Sequence, residues 1–245
     1  MKRLLLSLLT VITFGQLWAQ DVEINEANFP DDAFRAFISK EYDKDSNGFL
    51  SETEISEAES MYINGIESAK GVEFFKNLTL LYIFNSNITS LDISNNIQLK
   101  KLYCPNTQLT SLDISNNIAL ETLFCNENKL TSLDISNNTA LETLFCYENK
   151  LTSIDVSKNT ALTGLYCNNN QLVSLDVTSN KALTFLSCND NQLVSIDVSK
   201  NTALTGLECG NNQLVSLDVT SNKALTYLSC NDNQLVSIDV SNNVE

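Results

Sequence analysis

The sequence predicts a mainly β, right-handed solenoid of eight 21-residue coils with two short parallel sheets, preceded by a small α-helical cap. Three observations predict it. From Leu78 to Glu245 the chain repeats with a period of 21 residues. Within each unit the apolar residues alternate at strand spacing. Residues 20–77 lack that period until near their end and carry helix signals instead.

The units begin at Leu78, Leu99, Leu120, Leu141, Leu162, Leu183, Leu204 and Leu225. Positions 1 and 4 are always Leu, position 6 is Ile83 once and Cys thereafter, and position 9 is Asn in the last six units. The first half therefore reads L-x-x-L-x-C-x-x-N-x-L. The second half nests a similar pattern, L-x-x-L-D-[IV]-x-x-N, as in "LTSLDISNN" at 130–138. A half-unit of about ten residues has no room for a full helix, and its in–out–in pattern around the Asp is strand spacing, so each half is expected to supply one strand. Stacking at about 4.8 Å gives eight coils a length on the order of 35–40 Å. The Asn at positions 9 and 19 falls where the chain turns inward, where its side chain can pair the backbone groups left free at a corner. This pattern resembles the 21-residue class of bacterial leucine-rich repeats with nested half-repeats.

Cys104, Cys125, Cys146, Cys167, Cys188, Cys209 and Cys230 share position 6 and are expected to form one internal column. Seven is odd, so they cannot all pair. Parallel Cβ vectors suit disulfide geometry badly, and a straight row does not converge on a zinc ion. Ile83 fills the same slot, so the column reads as packing by small apolar residues.

The first residues read as an export signal over 1–19: a basic "MKR", the apolar "LLLSLLTVITFG", and "LWA" ending at Ala19. The apolar run is too short for a comfortable membrane span, and no later segment is long and apolar enough, so no span is expected in the mature chain. The expected location is outside the cell or at the bacterial cell surface. The formal net charge is −15, and removing 1–19 takes away Lys2 and Arg3 but no acid. An acidic surface repels phosphate backbones and anionic headgroups, which excludes nucleic acid as a partner and favours cations and basic proteins. The chain has no His, and no nucleophile motif or phosphate loop, so no enzyme is expected.

Residues 20–77 read as the N-terminal cap that a solenoid needs over its first coil. Pro30 and the acids after it mark a helix start, with Phe34, Phe37, Ile38 and Tyr42 on one face. "SETEISEAES" reads as a second short helix with a Ser51–Glu54 capping box, and "MYINGIESAKGVEFFKN" as an irregular first repeat. Between the helices, "DKDSNGFLSETE" (43–54) fits the twelve-residue EF-hand loop. Asp43, Asp45 and Asn47 stand at loop positions 1, 3 and 5, with Gly48 at the sharp turn. Phe49 would offer its carbonyl at position 7, Ser51 fills position 9, and Glu54 is the bidentate ligand at position 12. One structural Ca2+ is expected, holding the cap helices together.

In the first half-unit, positions 3, 5 and 7 alternate with buried ones and point outward. Position 5 is aromatic in five successive units: Tyr82, Tyr103, Phe124, Phe145 and Tyr166. Phe84, Tyr147, Phe185 and Tyr227 add rings at positions 7 and 3, and a polar and acidic row follows at position 8. Aromatic anchors with a polar rim suit a binding face, and cross-strand stacking that only stabilises the sheet is the competing reading. Residues 162–203 and 204–245 are near-copies whose differences include outward positions, as at Tyr166/Glu208, Asn168/Gly210 and Phe185/Tyr227. The other side of the coil carries an Asp in every unit, from Asp92 to Asp239, and reads as a solvated face.

The resemblance covers 78–245, and it implies an exported recognition module for protein–protein interaction or adhesion at the cell surface. The alternative is a surface protein that binds carbohydrate on the same rings. No cap signature follows the last repeat, so the last coil is expected to expose core side chains.

Overall fold

The computed structural model describes residues 21–243. The export signal expected over 1–19 lies outside the described residues. The cap begins with β1 (Val22–Glu23), followed by helix α1 (Asp32–Glu41), β2 (Phe49–Leu50) and helix α2 (Glu52–Ser56). Asp31 caps α1 by accepting the Phe34 N–H at 2.8 Å. Its other oxygen accepts the Glu67 N–H at 2.7 Å, tying the helix start to the chain beyond the cap helices. Ser51 and Glu54 form the expected capping box of α2. Phe34 and Ile38 of α1 are buried with Phe29 and Phe75, while Phe37 and Tyr42 pack partly buried beside them.

Nine strands then form a single parallel sheet in strict chain order. They are β3 (Ser60–Asn64), β4 (Leu80–Phe84), β5 (Lys101–Tyr103), β6 (Thr122–Phe124), β7 (Thr143–Phe145), β8 (Gly164–Tyr166), β9 (Phe185–Ser187), β10 (Gly206–Glu208) and β11 (Tyr227–Ser229). β3 belongs to the irregular repeat and pairs residue for residue with β4, Tyr62 opposite Tyr82. The repeats thus build a parallel-sheet solenoid, as expected.

Inside each coil the Leu, Ile, Val and Cys positions form one continuous core. No coil could stand alone, because ordering one residue costs about 1–2 kcal/mol of backbone entropy and burying a Leu or Val returns only about 1.5–3 kcal/mol. Each coil needs its neighbours to bury both faces.

The second sheet is a correction: among the described residues no strand forms in the second half-units. The reason lies in the Asp of every repeat. The carboxylate of Asp113 accepts the Ser115 N–H at 2.9 Å, and Asp134 and Asp155 do the same to Ser136 and Ser157. That Asx turn occupies an N–H a ladder would use. One backbone bond per coil remains at the start of the segment, such as Lys129 N–H to Leu109 carbonyl at 2.9 Å.

Two Asn columns replace the missing sheet as inter-coil ties. Asn138 at position 19 is fully buried and donates to the carbonyls of Ile114 (3.1 Å) and Asn117 (2.9 Å). Asn149 at position 9 donates to the Cys125 carbonyl in the preceding coil at 3.0 Å and accepts the Leu130 N–H at 3.0 Å. The position-9 Asn thus uses both ends of its amide, whereas the position-19 Oδ1 atoms are buried without a partner.

Candidate recognition face and calcium loop

The aromatic residues of the sheet face form one ladder. Ring centroids lie 5.3 Å apart for Tyr82–Tyr103, 4.8 Å for Tyr103–Phe124, 4.1 Å for Phe124–Phe145 and 4.0 Å for Phe145–Tyr166. Phe185 extends the run, stacked on Tyr166 at 5.2 Å. Register explains this: the parallel pairing sets Tyr103 beside Phe124, Phe124 beside Phe145 and Phe145 beside Tyr166. Phe84 and Tyr147 lean on the ladder at 5.1 and 6.2 Å from Tyr82 and Phe145. Tyr227 stands at the far end, 51% exposed. The five position-5 rings are half-buried, because each covers part of the next.

Gly206 has a steric reason to be glycine. A Cβ there would fall 2.5 Å from the Phe185 ring, which lies across it. The ladder ends where Ser187 replaces the ring at position 5. Its hydroxyl donates to the Glu208 carboxylate at 2.8 Å, and Asn189 donates to the same oxygen at 3.4 Å.

Sequence reading missed Tyr62. It begins the ladder, 6.3 Å from Tyr82 and 55% exposed. The signal was present in "MYI" at 61–63, which matches "LYI" at 81–83 one coil on.

Position 8 turns the chain out of the sheet with positive φ in every unit, for instance Asn85 (48°), Glu127 (56°) and Glu148 (51°). Asn and Asp tolerate this region, whereas other L residues pay roughly 1–2 kcal/mol for it. Glu127 and Glu148 are therefore held in an unfavourable conformation beside the most tightly stacked rings. Burial first, and the nearby Glu127 and Glu148 charges second, push the Tyr147 hydroxyl above its ordinary range.

On the Asp side, the carboxyl of Asp92 is held below its ordinary range by the Ser94 hydroxyl and N–H. A second exposed apolar feature runs along the coils at position 12, where Val173, Val194 and Val215 are each more than half exposed. The Cys column is internal: Cys104 to Cys209 are buried and Cys230 is partly buried, all as free thiols.

The loop 43–54 gathers three carboxylates. Oxygens of Asp43, Asp45 and Glu54 all lie within 4.8 Å of one another, close to the diameter of a Ca2+ oxygen shell with bonds of about 2.3–2.6 Å. The Gly48 N–H donates to Asp43 at 3.0 Å, with Gly48 at φ 84° to make the turn. The Asn47 N–H donates to Asp43 at 3.1 Å and to Asp45 at 3.2 Å. The Ser51 hydroxyl donates to Glu54 at 2.8 Å. Burial opposes the Glu54 charge, but donors from Ser51, Lys44 and Asp45 outweigh it and hold the carboxyl below its ordinary range. Phe49 lies in β2 opposite Glu23 of β1, so an antiparallel ribbon steadies the loop. An all-oxygen donor set of this span fits a hard divalent cation such as Ca2+. Asp43, Asp45 and Glu54 would hold it, with Asn47, Phe49 and Ser51 placed on the same loop.

A nested 21-residue coil, a parallel sheet on one side and Asn ties at the corners define a leucine-rich-repeat solenoid. The solved structures it resembles bear this out. The functional domain of InlJ from Listeria monocytogenes, described as including a cysteine ladder, is 32% identical, with a TM-score of 0.76 over 91% of this chain and 55% of that one. The internalin inlF from Listeria monocytogenes is 25% identical, with a TM-score of 0.69 over 93% of this chain and 76% of that one. A leucine-rich-repeat protein of Leptospira interrogans is 27% identical, with a TM-score of 0.64 over 69% of this chain and 47% of that one. The chain thus spans little more than half the length of InlJ. No family model matches the sequence, and no curated protein matches it.

Proposed function

We propose that this chain is an exported leucine-rich-repeat recognition module, which binds a protein partner at the cell surface and carries one structural Ca2+ in its cap. The observation that carries the reading is the ring ladder: a row of half-buried aromatics on the open face of the sheet, with a polar and acidic rim. Stacked rings present adaptable apolar area at little entropic cost, which is what protein hot spots use. The similarity to internalins points the same way. Carbohydrate stacking needs free ring faces, and at 4.0 Å and 11° Phe145 and Tyr166 cover each other's. Export rests on the basic–apolar–small pattern of residues 1–19, and no helix among the described residues is long and apolar enough to cross a membrane.

The test is capture of a protein from bacterial or host surface extracts by the purified chain, in calcium. Tyr103→Ser, Phe124→Ser and Phe145→Ser together should abolish capture while the thermal transition stays cooperative. Undiminished capture by this variant would falsify the reading, and capture of glycans on an array instead would replace it.

The calcium half has its own test. Melting the chain with calcium and with EDTA should show a lower transition in EDTA, and Asp43→Asn with Glu54→Gln should remove the difference. An EDTA-insensitive melt of the unaltered chain contradicts a structural ion, since a ligand bound only to the folded state must raise its stability.

A further inference from the structure

We propose that the ring ladder takes an extended basic segment of its partner, with apolar side chains on the rings and Lys or Arg heads on Glu127, Glu148 and Glu208. The inference rests on the reading of this face as protein-binding and adds the chemistry of what it binds.

Charge is the first argument. The outward positions 3, 5, 7 and 8 of the eight coils carry Glu127, Glu148, Asp190, Glu208 and Asp232 as acids, against Lys101 as the one base. Of the neighbouring bases, Lys100 is paired with Glu121 at 3.1 Å, and the exposed Lys129 and Lys150 follow at position 10, beyond the turn. Low-dielectric apolar surface beside carboxylates strengthens their attraction for a cation.

Placement is the second. Glu127 and Glu148 stand three residues after Phe124 and Phe145, on two coils of the most closely stacked part of the ladder. The Tyr147 hydroxyl donates to Glu127 at 3.5 Å, so ring and carboxylate form one surface. Glu208 closes the other end, beyond Tyr166 and Phe185, where one of its oxygens accepts the Ser187 hydroxyl.

Conformation is the third. At position 8 the other six units carry Asn or Asp, which tolerate positive φ. Glu is costlier there and reaches farther from the backbone. Backbone strain retained beside a candidate site is a pointer to use.

Shape fixes the form of the ligand. Phe145, Tyr166 and Phe185 stack face on face and the other neighbours meet tilted or edge-on, so the ladder offers largely ring edges, which admit aliphatic stems better than flat sugars. From Tyr62 to Phe185 the ladder spans six coil steps of about 4.8 Å, roughly 29 Å, the length of about nine extended residues.

The experiment uses the purified chain and a fluorescein-labelled peptide of alternating Arg and Val, about ten residues long, with a Gln-for-Arg peptide as comparator. Fluorescence anisotropy should show the Arg peptide binding at about 50 mM salt, and about tenfold more weakly at about 300 mM as screening shortens. The Gln peptide should bind about tenfold more weakly than the Arg peptide at low salt. Glu127→Asn with Glu148→Asn should weaken Arg-peptide binding about tenfold yet raise Tm, because Asn relieves the backbone. Asp134→Asn with Asp155→Asn removes the same charge from the other side, and should leave affinity within about twofold. Equal loss from the two double variants would reduce the effect to general attraction and overturn the proposal. So would equal binding of the Arg and Gln peptides. If both peptides bind equally and Phe124→Ser with Phe145→Ser weakens both, the protein-binding reading survives and the basic ligand does not. If the ring variants change nothing, the reading of the face itself fails.

Discussion

A cysteine every 21 residues looks like planted chemistry, and its surroundings take the chemistry away. Burial pushes the Cys104, Cys167 and Cys209 thiols up to about 12, and Cys125, Cys146 and Cys188 well above their ordinary value. A thiol that stays neutral inside and ionises outside favours the folded state only while both are neutral. Stability should therefore be full below about 9, where unfolded thiols ionise, and fall as pH rises towards 12. A thiol-reactive reagent at neutral pH should leave the six buried thiols of the native chain unlabelled and reach all seven after denaturation. Fewer than seven after denaturation under non-reducing conditions would reveal a bond the fold does not contain. The inward Cys was legible because strand alternation sorts neighbouring positions to opposite sides. Ser187 was not: it occupies an outward position yet is only 3% exposed. Neighbouring side chains across the sheet decide its exposure, and single-unit spacing does not contain them.

Among the elements, helix α1 and its capping box neighbour α2 were readable because their signals are local: Pro30, the acids after it, and Ser51 with Glu54. The second sheet failed for the opposite reason. Alternation of Leu and Ile around an Asp satisfies strand spacing, but the Asp side chain competes for the backbone two residues on. The recurring Asp-x-Ser/Thr was the signal for a turn, and it was outweighed by the apolar period. Asp31 shows how one side chain can serve two elements. Burial opposes its charge, but N–H donors from Glu67, Phe34, Ser68 and Ala33 outweigh that and hold its carboxyl below the ordinary value. With a depressed folded value, its contribution is present above the unfolded pKa and is lost as pH falls through the folded one. Asp31→Ala should cost about 1–2 kcal/mol at neutral pH and flatten the acid side of the stability profile. Denaturant melts across acidic pH check both, and an unchanged acid slope would mean the cap is held elsewhere.

At the scale of the molecule, an acidic solenoid is closed at one end by a helical cap and carries its rings on one open face. The position-5 column is legible in the sequence, since a strict period in sequence becomes a strict spacing in space. Its continuity could not, because Tyr62 sits in a repeat one residue short of the period and Phe185 joins from position 3. The exposed Val173, Val194 and Val215 offer the competing apolar surface, and lack the rings and the rim of Glu127 and Glu148. Which surface does the recognising is the central question, and hydroxyl-radical footprinting of the chain with and without its captured partner answers it most directly. The account predicts protection of Tyr103, Phe124, Phe145 and Tyr147, with the valine row and the Asp side unchanged. Protection of the valines or of the Asp side, with the rings as reactive as in the free chain, would contradict it.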